Sequence, residues 1–362
     1  MNRAVIIGGG LAGAAAAARL GSGALLLERE AGAHDKICGE FLSGEAGAML
    51  AGLGFDLARL GGAPIDRMRL HSGQRTVDVR LPFVATGISR RVLDAALLEH
   101  AEGQGADVRR GVTVRHLADG RAVTSDGELG GSLLLATGKH EMRGMKRDTA
   151  GTISGLIGFK MFFRAPAIAA RIGSAVEVTL FEGGYAGLQP VEGGRVNLCL
   201  LVEAGRLQAE GGGWQGLFAA LLAEPGLARL AEAEALLAKP LTISGVPYGF
   251  LARPDAGDDL WRLGDQAAVI PSFCGDGMAM ALHGGALAGS MVAAGANAAQ
   301  FQAQLRRDTA RQVRLATRLQ RFAMHPAGRF ALLAGLGAVP AAMALLARWT
   351  RVVAPAPLPV AG

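Results

Sequence analysis

Three glycines, Gly8, Gly10 and Gly13, follow the short apolar run Arg3 to Ile7 in G-x-G-x-x-G spacing, and a second apolar run, Ala24 to Glu28, ends in an acid. Residues of these types at this spacing bind a dinucleotide. Gly8 permits the tight turn after the strand, Gly10 lets the backbone approach a pyrophosphate, and Gly13 lets the following helix pack close. The pyrophosphate would sit on the helix N-terminus, where free N–H groups and the helix dipole favour negative charge. Glu28 stands about twenty residues beyond the first glycine, where an acid accepts hydrogen bonds from ribose hydroxyls. A chance glycine loop would not bring strand, glycines, helix, strand and terminal acid into register. A secretory signal is also a poor match, because three consecutive glycines interrupt what would be its apolar core.

Few other side chains have the types for chemistry. Cys38 can donate a proton to a substrate carbanion if its pKa is lowered; otherwise it is a small residue packing its loop. Lys160 alternates with Phe159, Met161 and Phe163 along an expected strand, so it points either into a substrate space or out to solvent. His140 and His283 stand alone, as structural histidines do, and no Ser-His-Asp or paired-carboxylate arrangement is visible. Cys38, Cys199 and Cys274 form no C-x-x-C pair, which argues against zinc, an iron–sulfur cluster or a disulfide framework. No metal is expected, and a reducing cytoplasm fits. The hard chemistry then belongs to a bound cofactor, with the protein supplying position, electrostatics and exclusion of water.

These residues need a scaffold. At 362 residues and 50% hydrophobic, the chain can bury the cores of two domains. Its net charge of +6 is local, because nine arginines and one acid, Asp308, lie between Arg306 and Arg351. Without a reading motif or an aromatic platform, this basic stripe does not argue for nucleic acid. Beyond Glu28 the pattern predicts a loop through Lys36 and Glu40, a helix ending at Leu50, strands within 64–84, an amphipathic helix from Arg90 to Ala101 and a strand from Val108 to Val114. A hairpin around Ala118-Asp119-Gly120 and a buried strand from Leu133 to Ala136 follow. From Thr152 the alternating segments are longer: Ile157 to Arg164, Ala175 to Phe181, Ala186 to Gln189 and Arg195 to Val202. They predict a largely antiparallel sheet with one covered face. Trp214 to Ala238 reads as helix. A short strand, Leu260 to Leu263, then leads through Gly264-Asp265 into a helix starting near Gly277, so the first domain is discontinuous.

At Gly264-Asp265 a family pattern emerges. Leu263-Gly264-Asp265-Gln266-Ala267, with Pro271, Gly275-Asp276-Gly277-Met278 and Ala281, resembles the G-D-A and P-x-x-G-E-G motifs of FAD-dependent monooxygenases and geranylgeranyl reductases. Arg90-x-x-Leu93-Asp94-x-x-Leu97 resembles their helix whose arginine reaches the cofactor, and Lys36-x-Cys38-Gly39-Glu40 resembles the C-G-E segment of the reductases. Gly184-Tyr185-Ala186-x-x-x-Pro190, with Gly194 and Asn197, resembles the segment lining the substrate side of their flavin.

The resemblance covers residues 5 to about 289 and implies an α/β fold with para-hydroxybenzoate-hydroxylase-like architecture. A Rossmann-like FAD-binding domain of the glutathione-reductase type is expected over 1–63, 85–150 and 252–298, and an inserted α+β substrate domain over 64–84 and 151–251. A C-terminal helical region is expected over 299–362. Implied FAD contacts are Gly8, Gly10, Leu11, Ala12, Gly13, Glu28, Arg29, Lys36, Cys38, Gly39, Arg90, Val112, Thr137, Gly138, Gly264, Asp265, Gly275, Gly277 and Met278. Lys160, Tyr185 and Pro271 are the implied substrate-lining residues. The first implied reaction is monooxygenation of a hydrophobic small molecule, by hydroxylation or epoxidation through a flavin C4a-hydroperoxide. The alternative is saturation of an isoprenoid double bond with Cys38 as proton donor, and a further one is membrane-associated electron transfer.

Departures from the family pattern narrow these implications. Where related hydroxylases carry an Asp-Gly motif touching both FAD and NADPH, this chain has Ala136-Thr137-Gly138-Lys139-His140, which argues against direct reduction by NADPH and leaves NADPH, NADH or a separate flavin reductase as the candidate electron sources. Flavin halogenases carry a W-x-W-x-I-P segment, whereas Trp214, Trp261 and Trp349 stand alone here, and Gly187 replaces the tryptophan of the reductases. The arginines at 307, 311, 314, 318 and 321 make a basic helical face. The apolar run from Phe330 to Ala347 is broken by Gly335, Gly337 and Pro340, so it reads as a soluble cap or as a peripheral contact with the inner face of a membrane, not a span.

Overall fold

The computed structural model describes residues 3–253 and 259–352; the parts of the expected domains at 1–2, 254–258 and 353–362 lie outside them. The apolar runs of the N-terminal half become a five-stranded parallel sheet. Its order is Trp261–Arg262, Ser132–Leu135, Ala4–Ile7, Ala24–Glu28 and Asp107–Arg110. The three inner strands are almost wholly apolar because both faces are covered, whereas the edge strands Asp107–Arg110 and Trp261–Arg262 carry charge. Ala4, Ile6 and Leu26 pack under the helices Leu11–Leu20, Arg90–Gly103 and Gly277–Ala293, while Val5, Ile7 and Leu27 pack under a small antiparallel sheet of strands His116–Ala118, Arg121–Val123 and Glu128–Gly130.

The second domain is a nine-stranded mixed sheet. All its pairings are antiparallel except that of Ala175–Phe181 with Ala63–Ser72. The strand Arg75–Gly87 ends three residues beyond the expected boundary at 84, and Phe41–Leu42 joins the sheet edge. Phe159, Met161 and Phe163 turn to the face covered by the helices Pro166–Ile172 and Trp214–Leu221. The expected helix from Trp214 to Ala238 stops at Leu221, and only a short 3-10 turn, Ala228–Glu232, resumes after it. Pro225-Gly226 explains the correction, since proline lacks the donor and glycine the backbone preference that a helix needs.

The opposite face of this sheet turns toward the first domain. A 27-residue helix, Ala298–Met324, leads from the first domain to two cap helices, Pro326–Ala338 and Ala342–Thr350, separated at Val339-Pro340. Leu333, Leu336 and Met343 of the cap pack on Ile65, Leu70, Val79 and Leu81 of the sheet. No helix among the described residues is long and apolar enough to cross a membrane.

Candidate functional site

The cradle has the backbone its glycines predict. Gly8 adopts a φ of +107°, and a Cβ on Gly13 would lie 2.0 Å from the Gly8 carbonyl oxygen, so this helix can approach its strand only without a side chain there. Gly10 caps the helix without a side-chain hydrogen bond, leaving the N–H groups of the first turn available. A Cβ on Gly10 would face Arg90 Nη2 at 3.5 Å and Lys36 Nζ at 3.8 Å. Both cations are held by one carboxylate: Arg90 donates to Asp94 at 2.7 and 2.9 Å, and Lys36 at 2.8 Å. Burial works against ionisation of Asp94, but the two cations outweigh it and keep its carboxyl below the ordinary range. A buried helix N-terminus flanked by two cations fits a pyrophosphate.

Glu28 is buried and already engaged, accepting from Gly9 N–H at 2.6 Å and Glu30 N–H at 3.0 Å. A carboxylate retains lone pairs for a ribose hydroxyl in that arrangement. Asp265 differs: its carboxylate has no hydrogen-bond partner among the described residues, and it borders the cavity next to Gly264. An unengaged acid at a cavity edge fits the hydroxyls of a ribitol chain.

A cavity of about 290 Å³ runs from this cradle into the second domain. Gly10, Leu11, Ala12, Cys38, Gly39 and Arg90 line one side, and Gly138, Gly264, Asp265, Gly275, Gly277 and Met278 line another. Gly8 and Gly13 shape the turn from behind. Glu28 and four other expected contacts stand outside the cavity wall: Arg29 reaches Glu30 and His140, Lys36 reaches Asp94, Val112 N–H bonds Glu28 O, and the Thr137 hydroxyl bonds His140 O. The far walls are aliphatic, built by Met68, Leu70, Leu81, Val176 and Val178 of the sheet and by Leu332, Leu336, Met343 and Leu346 of the cap. Tyr185 lines this chamber, its hydroxyl 2.6 Å from Ser272 Oγ and its ring edge-on to Phe273. Gly187, where a tryptophan was the family expectation, contributes no side chain and leaves its wall open.

Two expected substrate-lining residues are corrected. Lys160 is on the sheet face turned toward the first domain, but it is fully buried beneath the loop 36–40, where it donates to Lys36 O at 2.8 Å and to Glu40 Oε1. An ammonium on an apolar strand is retained because this carboxylate and carbonyl satisfy it. Pro271 is buried behind its neighbours Ile270 and Ser272, which do reach the cavity. Cys38 borders the cavity, and its Sγ accepts the Glu40 N–H at 3.4 Å.

Glu40 and Asp276 enter the sequence reading only as members of motifs, and the structure gives each a role. Glu40 accepts from Lys160 and from Arg90 N–H at 3.0 Å, and its own carbonyl accepts from Gln189 at 2.8 Å. Asp276 sits buried at the N-cap of the helix Gly277–Ala293, where it accepts from Val352 N–H at 2.8 Å and pairs with Arg351 at 3.3 Å. Burial pushes both carboxyls up to about 7, against the opposing pull of Lys160 and Arg351. Burial also pushes the Cys199 and Cys274 thiols up to about 12, which makes them poor nucleophiles.

No family model and no curated relative matches the chain. Solved structures do. A flavoprotein/dehydrogenase from Cytophaga hutchinsonii superposes with a TM-score of 0.78 at 18% identity, over 96% of this chain and 92% of that one. The flavin-dependent brominase Bmp2 superposes with a TM-score of 0.78 at 16% identity, over 98% of this chain and 96% of that one. PqsL of P. aeruginosa, in complex with 2-aminobenzoylacetate, superposes with a TM-score of 0.72 at 15% identity, over 92% of this chain and 99% of that one. At these identities the likeness is one of fold, and the fold is that of flavin-dependent monooxygenases and halogenases.

Proposed function

We propose that the chain is an FAD-dependent oxidoreductase acting on a hydrophobic small molecule, and within that class a monooxygenase. One observation carries the reading: a single cavity joins a pyrophosphate-type cradle at Gly10 to a chamber walled by aliphatic side chains. Reduced FAD would supply the activation of dioxygen. The residues of the chain supply the rest. Arg90, Lys36 and the first turn after Gly10 hold the pyrophosphate, and Asp265 holds ribitol hydroxyls. The N-terminus of the helix Gly277–Ala293 favours negative charge on the flavin ring. The aliphatic walls exclude water, and the hydroxyls of Tyr185 and Ser272 offer one polar anchor for a substrate hydroxyl or carbonyl. Electrons come from NADPH or NADH, directly or through a separate flavin reductase.

Cys38 at the cavity wall favours a second reading, reduction of an isoprenoid-like double bond with the thiol as proton donor. One experiment separates the two. The bound flavin is reduced without oxygen, then mixed with candidate substrates in the presence or absence of oxygen, and products are weighed. Gain of an oxygen atom only when oxygen is present supports the monooxygenase. Anaerobic flavin reoxidation with gain of two hydrogens supports the reductase. A protein that binds NAD and takes up no FAD overturns both.

A further inference from the structure

The six large hydrophobic residues that remain exposed among the described residues are not scattered. Phe322, Phe330, Val339, Leu345 and Trp349 lie on the last turn of the long helix and on the cap, and Val84 is on the strand Arg75–Gly87, against which the cap packs. Exposed apolar side chains usually occur singly on a soluble surface, and a contiguous group marks an interaction site. The same cap helices also send Leu332, Leu336, Met343 and Leu346 inward to the cavity. They are therefore apolar on both sides, a pattern suited to helices with no aqueous face.

The neighbouring surface carries the matching charge. Arg311, Arg314 and Arg318 recur along the exposed side of the helix Ala298–Met324 and, with Leu315 and Trp349, line an open groove of about 590 Å³. No acid pairs with these three among the described residues. The single acid of the helix, Asp308, is engaged by His283 at 2.9 Å and Gln304 at 2.7 Å. Phe330 adds a further cation to the patch, holding the Arg75 guanidinium 4.5 Å from its ring centre.

We propose that the cap docks on the surface of an anionic phospholipid bilayer, with Trp349, Phe330 and Leu345 at the headgroup boundary and the three arginines on lipid phosphates. Neither a charged groove without apolar neighbours nor an apolar patch without charge would favour this partner over others. The two side by side do. The depth is interfacial, because the cap helices are short and no described helix can span. The docked face is the outer side of the same helices that wall the cavity, so an apolar substrate would pass from lipid to chamber through the cap. That last step rests on the proposed function, whereas the docking does not.

The test is sedimentation of the purified full chain with phosphatidylcholine vesicles and with vesicles that also contain phosphatidylglycerol, while the emission of Trp349 is followed against a Trp349→Phe control. The expected result is binding to the anionic vesicles only, weakened by salt, with a blue shift that the control lacks. The variant Arg311→Glu/Arg314→Glu/Arg318→Glu should lose about 100-fold or more in partitioning, each cation near such a surface counting for roughly fivefold. Trp349→Ser/Phe330→Ser should lose binding while melting and flavin uptake stay unchanged, which keeps docking distinct from the cofactor reading. Absence of binding by the parent chain overturns the proposal. So does equal binding by the arginine variant, a dimer in solution that Trp349→Ser dissociates, or a duplex DNA that competes the vesicles away.

Discussion

Lys160 and Glu40, 120 residues apart in the chain, form an ion pair with both side chains fully shielded from solvent. The pair ties a strand of the second domain to the loop that borders the cavity, and through Arg90 N–H to the start of a helix of the first. One oxygen, Glu40 Oε2, has no partner, so the arrangement has little to spare. Breaking a buried pair from one side leaves an uncompensated charge and costs about 3–5 kcal/mol. Lys160→Met should destabilise the protein by that amount in urea denaturation, and Lys160→Met/Glu40→Gln should recover part of it. A neutral Lys160→Met would show that the pair holds nothing together.

The raised carboxyls of Glu40 and Asp276 imply a pH dependence. Their folded-state values, about 7, lie above the ordinary carboxylate range, so the folded protein keeps protons that the unfolded chain has released. Stability is fully present below the ordinary range, falls as pH rises toward about 7, and levels off above it, with a slope of up to ~1.4 kcal/mol per pH unit for each group. Melting curves across that window should show the fall, and Glu40→Gln or Asp276→Asn should flatten it. A melting temperature that rises through the window would contradict the burial argument.

Gly13→Ala places a methyl 2.0 Å from the Gly8 carbonyl oxygen and 3.2 Å from the Ile6 side chain. Relief requires the helix to move off its strand, at a cost of about 1–3 kcal/mol or more. Flavin retention and melting temperature should fall together, whereas a variant that keeps both would refute the close approach.

Asp265→Ala removes a half-buried carboxylate that no other described residue uses. FAD affinity measured by fluorescence titration should drop by about 1–3 kcal/mol, the usual loss for a hydrogen bond to a charged group, with folding unchanged. Undiminished affinity would separate this acid from the cofactor.

Cys38→Ala distinguishes the two proposed reactions. A proton donor removed beside the substrate lowers turnover by roughly 10²–10⁴-fold with flavin still bound, as general acid catalysis requires. A monooxygenase should change little. Cys38→Ser, measured in parallel, tests whether a hydroxyl can relay the proton instead.

The readable parts of this chain are those whose demands are local. The spacing of Gly8, Gly10 and Gly13 states a backbone requirement within six residues, and the structure meets it. Gly264-Asp265 and Gly277 likewise stand where a strand ends and a helix begins. Lys160 was ambiguous because its partner Glu40 comes from a distant loop, and strand periodicity gives a side without saying what covers it. Apolar spacing runs on past Leu221 toward Ala238, and only Pro225-Gly226 marks that the helix does not. Nor could the sequence show that the cap supplies a cavity wall. Leu336 and Trp349 look alike as apolar residues, and only packing sends one inward and the other to the surface.

The helices Leu11–Leu20 and Gly277–Ala293 meet so closely that a Cβ on Gly285 would lie 2.1 Å from the Ala12 carbonyl oxygen. This contact sets a timetable for synthesis. The glycine cradle leaves the ribosome well before the helix that packs on it, because the strands and helices of the second domain are translated between the two. Until then the face of the first helix that meets Gly285 lacks its partner, and closing so long a loop is slow. The nascent protein must pass through a stage with bare apolar surface and an unfinished cofactor site, the stage at which chaperones act. Fragments ending before Gly277 should therefore neither hold flavin nor stay soluble, however intact their glycine motif.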